Sequence, residues 1–414
     1  MNRLSLFLLL CILLGAPSLL SPIHACTSAV VSGKATPDGR PLLWKNRDTG
    51  HLLNHVAYVQ GERYAFIANV NSDDFPARKE AWVGTNEAGF SLMNTQSYNL
   101  VAVSKNEERG EANGRIIYRA LELCATLQEF CQLLDTLAKP SRIEANFGVI
   151  DAQGGAAILE VDYYGYQVYD ANDPQVAPHG YVTRSNFSVS GQHGEGAGYV
   201  RFLEADRVLQ EAAATRSITP QLIYDRLARS FRNPQLNIDL RSETFCRPGQ
   251  EQWFVDQDFI PRHSTSCSVV VQGVKLGERA ELTTMWTLLG YGPTGVALPL
   301  WVKGADRLLP AAVLYDEACG ASPLSRHSRD LMERTFALRK GSGTDRYFCW
   351  SMLYNAEGTG FMQRLQPVEQ RLFSLSQPLL ERWQRQGRVD LKQLEKLYAQ
   401  LTDALQPVWN LTSD

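Results

Sequence analysis

The chain has 414 residues, 44% of them hydrophobic and 21% charged, with 41 lysines and arginines against 44 aspartates and glutamates. A net charge of -3 gives no basic surplus to hold nucleic acid or an anionic membrane surface, so neither is expected as a partner. After the first residues no uninterrupted apolar run approaches the roughly 20 residues needed to cross a bilayer, which argues against stable membrane insertion.

The chain opens with Arg3, an apolar stretch from Leu4 to Leu14, and Ile23-His24-Ala25, which ends in the small residue a signal peptidase favours. Residues 1–25 are therefore expected to be a removable export signal, leaving a secreted or periplasmic protein that begins at Cys26. A thiol with pKa near 8.5 is a weak nucleophile at neutral pH, and an α-amino group titrating near 8 is a matched proton acceptor for it. A cysteine that carries its own free amine needs no histidine partner, and none of the seven histidines lies in a Cys/His signature. Two other readings of Cys26 stay open: a lipid-anchored cysteine on a non-catalytic binding protein, which His24 suits poorly, and a structural disulfide cysteine in an oxidising compartment. With Cys11 in the leader and Cys26 set aside, six cysteines remain for three bridges or none. Cys124 and Cys131 lie about two helical turns apart and are not expected to bond to each other.

Thr27 to Val31 and Pro41 to Trp44 flank the turn sequence Thr36-Pro37-Asp38-Gly39, the pattern of a β-hairpin. Strands are expected at His55 to Val59, Tyr64 to Ala68, Ala81 to Thr85 and Phe90 to Asn94, a meander in its simplest form. Trp44, Tyr58, Phe66, Trp82 and Phe90 occupy alternating strand positions and read as core. Helical periodicity runs from Gly114 to Ala138, and Thr126 with Glu129 forms a capping box that divides it in two near Ala125. Strands return at Phe147 to Ile150, Ala157 to Val161, Tyr166 to Tyr169 and Tyr181 to Arg184. Helices follow at Val200 to Ala213, with Tyr199 and Phe202 read as core, and from Pro220 to Phe231. Further strands are expected near Cys267 to Gln272 and Thr284 to Leu288. Beyond Pro310 the pattern is helical, at Leu324 to Leu338, Val368 to Arg385 and Leu391 to Leu405. No repeat or Gly/Ser linker divides the chain, so the expectation is one α+β unit over residues 26–310 with a helical annex over 311–414 packed on it.

Cys26-Thr27-Ser28, the hairpin, Lys45-Asn46-Arg47-Asp48 and Gly84-Thr85-Asn86-Glu87-Ala88-Gly89-Phe90 leading to Asn94 resemble, in order and spacing, the choloylglycine hydrolase and penicillin acyltransferase group of N-terminal nucleophile hydrolases. The resemblance continues through Thr183-Arg184-Ser185-Asn186-Phe187 and Gly198-Tyr199-Val200-Arg201-Phe202, and covers roughly residues 26–302. It implies a four-layer αββα sandwich, no cofactor, no metal, and Cys26 as nucleophile at the end of a central strand. It also implies that Asp48 orients the amine, that Asn94 and Asn186 surround the oxyanion, and that Arg201 lies near the nucleophile, although Arg207 competes for that slot. Lys45 stands where an arginine is usual; a lysine keeps the charge that favours thiolate but lacks the planar fork. The implied activity is cleavage of a linear amide in a small N-acyl amide or short peptide, with dipeptidase or acyltransferase activity as alternatives and oligomerisation possible.

Overall fold

The computed structural model describes residues 25–101, 112–256, 258–336 and 346–412. Of the expected leader only Ala25 belongs to these, and the end of the helix expected to reach Leu338 also lies outside them.

β1 (Thr27–Val31) and β2 (Leu42–Asp48) form the expected antiparallel hairpin, with Ser28 opposite Lys45 and Val30 opposite Leu43. The turn between them is tight: a side chain at Gly33 would come within 2.2 Å of the Gly39 carbonyl, so only glycine fits. β3 (Asn54–Gln60), β4 (Ala65–Asn71), β5 (Val83–Asn86), β6 (Ser91–Gln96), β7 (Ala145–Ile150), β8 (Ala156–Val161) and β9 (Tyr166–Asp170) follow one another in a single seven-stranded sheet, a meander as expected. β10 (Tyr181–Arg184) returns to pair with β1. Two short pieces, β11 (Arg232–Asn233) and β12 (Ile238–Asp239), form a ribbon of their own. β13 (Trp253–Val255) precedes β14 (Thr265–Gln272), β15 (Thr284–Leu289) and β16 (Ala297–Leu300), and the last three complete a six-stranded sheet in the order β10-β1-β2-β14-β15-β16.

The two large sheets pack face to face, with β1 and β2 against β6 and β7. Helices Asn113–Leu123 and Leu127–Asp135 cover the outer face of the seven-stranded sheet, burying Ile117, Leu121, Phe130 and Leu134 with Phe66, Phe90 and Phe147. Thr126 caps the second helix by accepting the Glu129 N–H at 3.1 Å, as the capping pattern requires. Helices Tyr199–Ala214 and Pro220–Arg226 cover the outer face of the six-stranded sheet together with Pro323–Thr335, Phe361–Gln386 and Leu391–Ala404. The result is four layers, helix, sheet, sheet, helix, as expected.

The C-terminal helices share one continuous core with the six-stranded sheet. Phe373 stacks on Trp286 at 4.2 Å, Trp383 meets Trp301 edge-on, and the Glu369 carboxylate holds Arg229 through two 2.8 Å contacts while accepting the Ala297 N–H at 2.9 Å. Three features differ from expectation. The longest helix starts at Phe361 rather than Val368 and runs through Pro367 and Pro378, because its apolar face from Phe361 to Trp383 is buried along its whole length and outweighs about 3 kcal/mol per interior proline. The Pro220 helix stops at Arg226. The C-terminal segment also contributes a strand, β17 (Tyr347–Cys349), paired with β13. All seven cysteines of the described residues are unbonded, Cys124 and Cys131 among them.

Candidate active site

The period-two alternation of β2 divides its side chains between the two faces of the sheet. Lys45 and Arg47 point between the sheets, where Lys45 reaches Asn94 of β6 and Arg47 reaches Asn71 of β4. Asn46 and Asp48 point the other way. Cys26 stands at the head of β1, one step beyond the Thr27–Asn46 pair and so beside Arg47, where the two sets meet at the end of the strand.

The nitrogen of Cys26 donates to Asn186 Oδ1 at 2.9 Å, and its thiol faces the Asp48 carbonyl oxygen at 3.8 Å. With Ala25 attached this nitrogen is an amide; it stands in for the α-amine that a cut after Ala25 would create. Arg201 Nη1 donates to the Cys26 carbonyl at 2.6 Å and to Thr27 Oγ1 at 2.8 Å, while its Nη2 donates to Asn186 Oδ1 at 2.9 Å. Gly198 makes this possible: it caps the helix in the left-handed region, φ 82°, and a side chain there would lie 2.2 Å from Arg201 Nη2. Arg207, the competing arginine, instead pairs with Glu204 and Glu211. Burial, then the neighbouring Arg262, pulls the Arg201 pKa down to about 10.

The Asp48 carboxylate accepts Thr265 Oγ1 at 2.7 Å, Asn46 Nδ2 at 3.2 Å and Arg262 Nε at 3.3 Å. Burial pushes its pKa up, against the pull of Arg262 and Arg201. The expectation gave Asp48 the task of holding the amine; in the uncleaved chain Asn186 has the single N–H of Cys26.

Lys45 is 1% exposed, and its Nζ donates to Asn94 Oδ1 at 2.7 Å and to the Trp82 carbonyl at 2.9 Å. Burial lowers its pKa to about 8, and the first influence that opposes this is Cys26. An ammonium can only donate, so the Asn94 oxygen must face it and the Asn94 amide N–H groups point elsewhere. The two asparagines therefore differ. Asn186 has its oxygen on Cys26 and Arg201 and its Nδ2 on the Gln96 carbonyl at 2.8 Å, so its amide is committed to the nucleophile's nitrogen. Arg47, 2% exposed, lies over the Trp82 ring at 4.5 Å and donates to Asn71 Oδ1 at 2.7 Å. Trp82, read as core from the sequence, is thus the platform of both cations. Trp44, Phe66 and Phe90 are core as expected, whereas Tyr199 is 37% exposed, because its ring stacks on the outer side of Phe187 at 4.1 Å while Arg201 takes the inward face of the helix.

Several neighbours of the nucleophile were not singled out from the sequence. Thr265 and Arg262 belong to the approach to β14, and the Thr265–Asp48 pairing that brings them in was legible only once β14 was known to join β2. Cys267 pairs across from Arg47 on the other side of β2, and burial pushes its thiol up to about 11. Two strand spacings separate it from Cys26, about 10 Å between Cα atoms and too far for a disulfide. Among the described residues one group has metal-ligand geometry, His51 with Asp73 and Asp74; His51 and Asp73 are exposed and Asp74 half-buried.

The fold is the four-layer αββα sandwich of N-terminal nucleophile hydrolases. No protein-family profile and no curated sequence matches the chain. Among solved structures it is similar to an N-acylethanolamine-hydrolyzing acid amidase ortholog of Caenorhabditis elegans, with 14% identity and TM-score 0.39 over 59% of this chain and 92% of that one. It is also similar to a variant of the conjugated bile acid hydrolase of Clostridium perfringens, with 13% identity and TM-score 0.41 over 67% and 93%. Penicillin V acylase of Agrobacterium tumefaciens gives 14% identity and TM-score 0.37 over 68% and 87%. These are similarities of fold, and no activity passes from them to this chain.

Proposed function

We propose that the protein is an exported hydrolase that cleaves the C–N bond of a linear amide through an acyl-enzyme on an N-terminal Cys26. The observation that carries this reading is the seat of Cys26: its nitrogen on Asn186, its carbonyl on Arg201, and its thiol beside the buried Lys45, Arg47 and Asp48.

Removal of residues 1–25 turns the Cys26 nitrogen into an amine. One N–H keeps the bond to Asn186 Oδ1, and the lone pair takes the thiol proton, a transfer between groups of nearly equal pKa. Arg201 grips the Cys26 carbonyl, so the residue cannot swing away as its sulfur attacks. When the substrate carbonyl becomes tetrahedral its oxygen gains charge, and Asn94, turned by Lys45, supplies the N–H for it. The amine then protonates the leaving nitrogen, and water, deprotonated by the same amine, releases the acid. Asp48, braced by Thr265 and Arg262, orients the amine once it carries more than one N–H.

The test is intact mass and N-terminal sequencing of protein exported by its host, followed by incubation with N-acyl amides and dipeptides. A free Cys26 amine and release of acid that stops in Cys26→Ala are expected. A diacylglyceryl adduct on Cys26, a different first residue, or turnover retained in Cys26→Ala overturns the reading.

A further inference from the structure

Four cations surround Cys26, and three of them are committed within the protein. Lys45, Arg47 and Arg201 are 1%, 2% and 1% exposed, and each is held by the bonds described above. Arg262 is different. Its Nε meets Asp48 Oδ2 at 3.3 Å, its side chain is 20% exposed, and its two terminal nitrogens make no hydrogen bond among the described residues. Asp256, the other carboxylate close by, accepts the His263 N–H at 3.1 Å and takes no bond from Arg262.

This arginine is also fixed in place. The segment that carries it is tied down by Asn46 Nδ2 on the Ile260 carbonyl at 3.2 Å, by the Arg262 N–H on Thr265 Oγ1 at 2.9 Å, and by the Thr49 N–H on the Ser264 carbonyl at 2.8 Å. With its backbone anchored and its Nε on a buried carboxylate, the guanidinium has lost much of the freedom that makes surface arginines poor ligands, and its open edge reaches solvent beside the nucleophile. A planar fork with two free terminal nitrogens matches a carboxylate, which it binds through two parallel bonds.

We propose that Arg262 is the substrate-carboxylate subsite, so that the preferred substrates are amides whose leaving group bears a free carboxylate: N-acyl amino acids and dipeptides rather than neutral N-acyl amines. The proposal rests on the amidohydrolase reading above and narrows it. Arg262 binds and orients; the bond-breaking steps are unchanged.

The experiment compares an N-acylglycine with the N-acylglycinamide of the same acyl group, using processed protein whose N-terminus is verified as Cys26. Wild-type protein should favour the acid by about tenfold or more in kcat/KM, mostly through KM, as a charge-assisted bond implies. Arg262→Gln should bring the two substrates to parity, and Arg262→Lys, which keeps the charge but not the fork, should retain part of the preference. A purely structural arginine would lower both rates together and leave their ratio intact. Equal rates in wild type, or an unchanged ratio in Arg262→Gln, overturn the proposal while leaving the amidohydrolase reading standing. Failure to cleave either compound or any other amide overturns that reading instead.

Discussion

Replacing Lys45 by methionine should raise the pH at which the Cys26 thiol ionises and, in the same protein, increase stability. The ammonium is buried with only neutral acceptors, Asn94 Oδ1 and the Trp82 carbonyl, and burial takes its pKa from 10.5 to about 8. At about 1.4 kcal/mol per unit that is a cost on the order of 3 kcal/mol for keeping the charge inside. The thiolate opposes that shift most strongly, so the pair is coupled in both directions. Removing a nearby cation moves a thiol by roughly 1–3 units, and the alkylation rate of processed protein with iodoacetamide, followed against pH, should shift its midpoint upward by that amount in Lys45→Met. Urea unfolding at pH 7 should show a gain on the order of 1–3 kcal/mol. The sign follows from the lowered folded pKa: the cost is full below about 8 and disappears as pH rises toward 10.5, where the unfolded chain also loses its proton, so the gain should vanish over that window. An alkylation midpoint that does not move, or a stability gain that persists unchanged above pH 11, refutes the coupling. Lys45→Arg should carry activity further into alkaline pH, since an arginine does not release its proton there.

Other outcomes follow from the same geometry. Asn94→Ala should lower kcat by about 10² to 10³ with little change in KM, since it removes a donor needed only when the carbonyl oxygen carries charge; steady-state kinetics on any cleaved amide checks it. Gly198→Ala should lower both Tm and kcat, because its Cβ would displace Arg201 Nη2 and the backbone there is left-handed. Glu369→Gln should destabilise by about 3–5 kcal/mol by leaving Arg229 buried without its carboxylate, read as a fall in the urea midpoint; a change below 1 kcal/mol would mean the contact does not anchor the C-terminal helices.

What the sequence made legible was local. The β1–β2 hairpin, the Thr126 cap and the meander rest on turn chemistry and periodicity within a few residues, and each is found where those signals place it. Cys26, Lys45, Asp48, Asn94, Asn186 and Arg201 do converge on one end of the sandwich. The contents of the site that depend on distant pairing were not legible: Thr265 and Arg262 reach Asp48 only because β14 lies beside β2, more than 200 residues away in the chain. The helix through Pro367 was cut short because local propensity disfavours proline, while the burial that overrides it belongs to tertiary packing. The β13–β17 pair is likewise a long-range contact between short pieces with no periodic signature.

The two-sided use of β2 makes the length of the connecting turn a matter of odd and even. Inserting or deleting one residue within β2 would send Lys45 and Arg47 to the helices and Asn46 and Asp48 to the gap between the sheets, exchanging every partner at once while leaving composition almost untouched. Changes of two residues would keep the parity and shift the register along the strand. Natural length variation in this hairpin should therefore come in pairs or be confined to the exposed tip, and a single-residue deletion there should be among the most damaging short changes the gene can suffer.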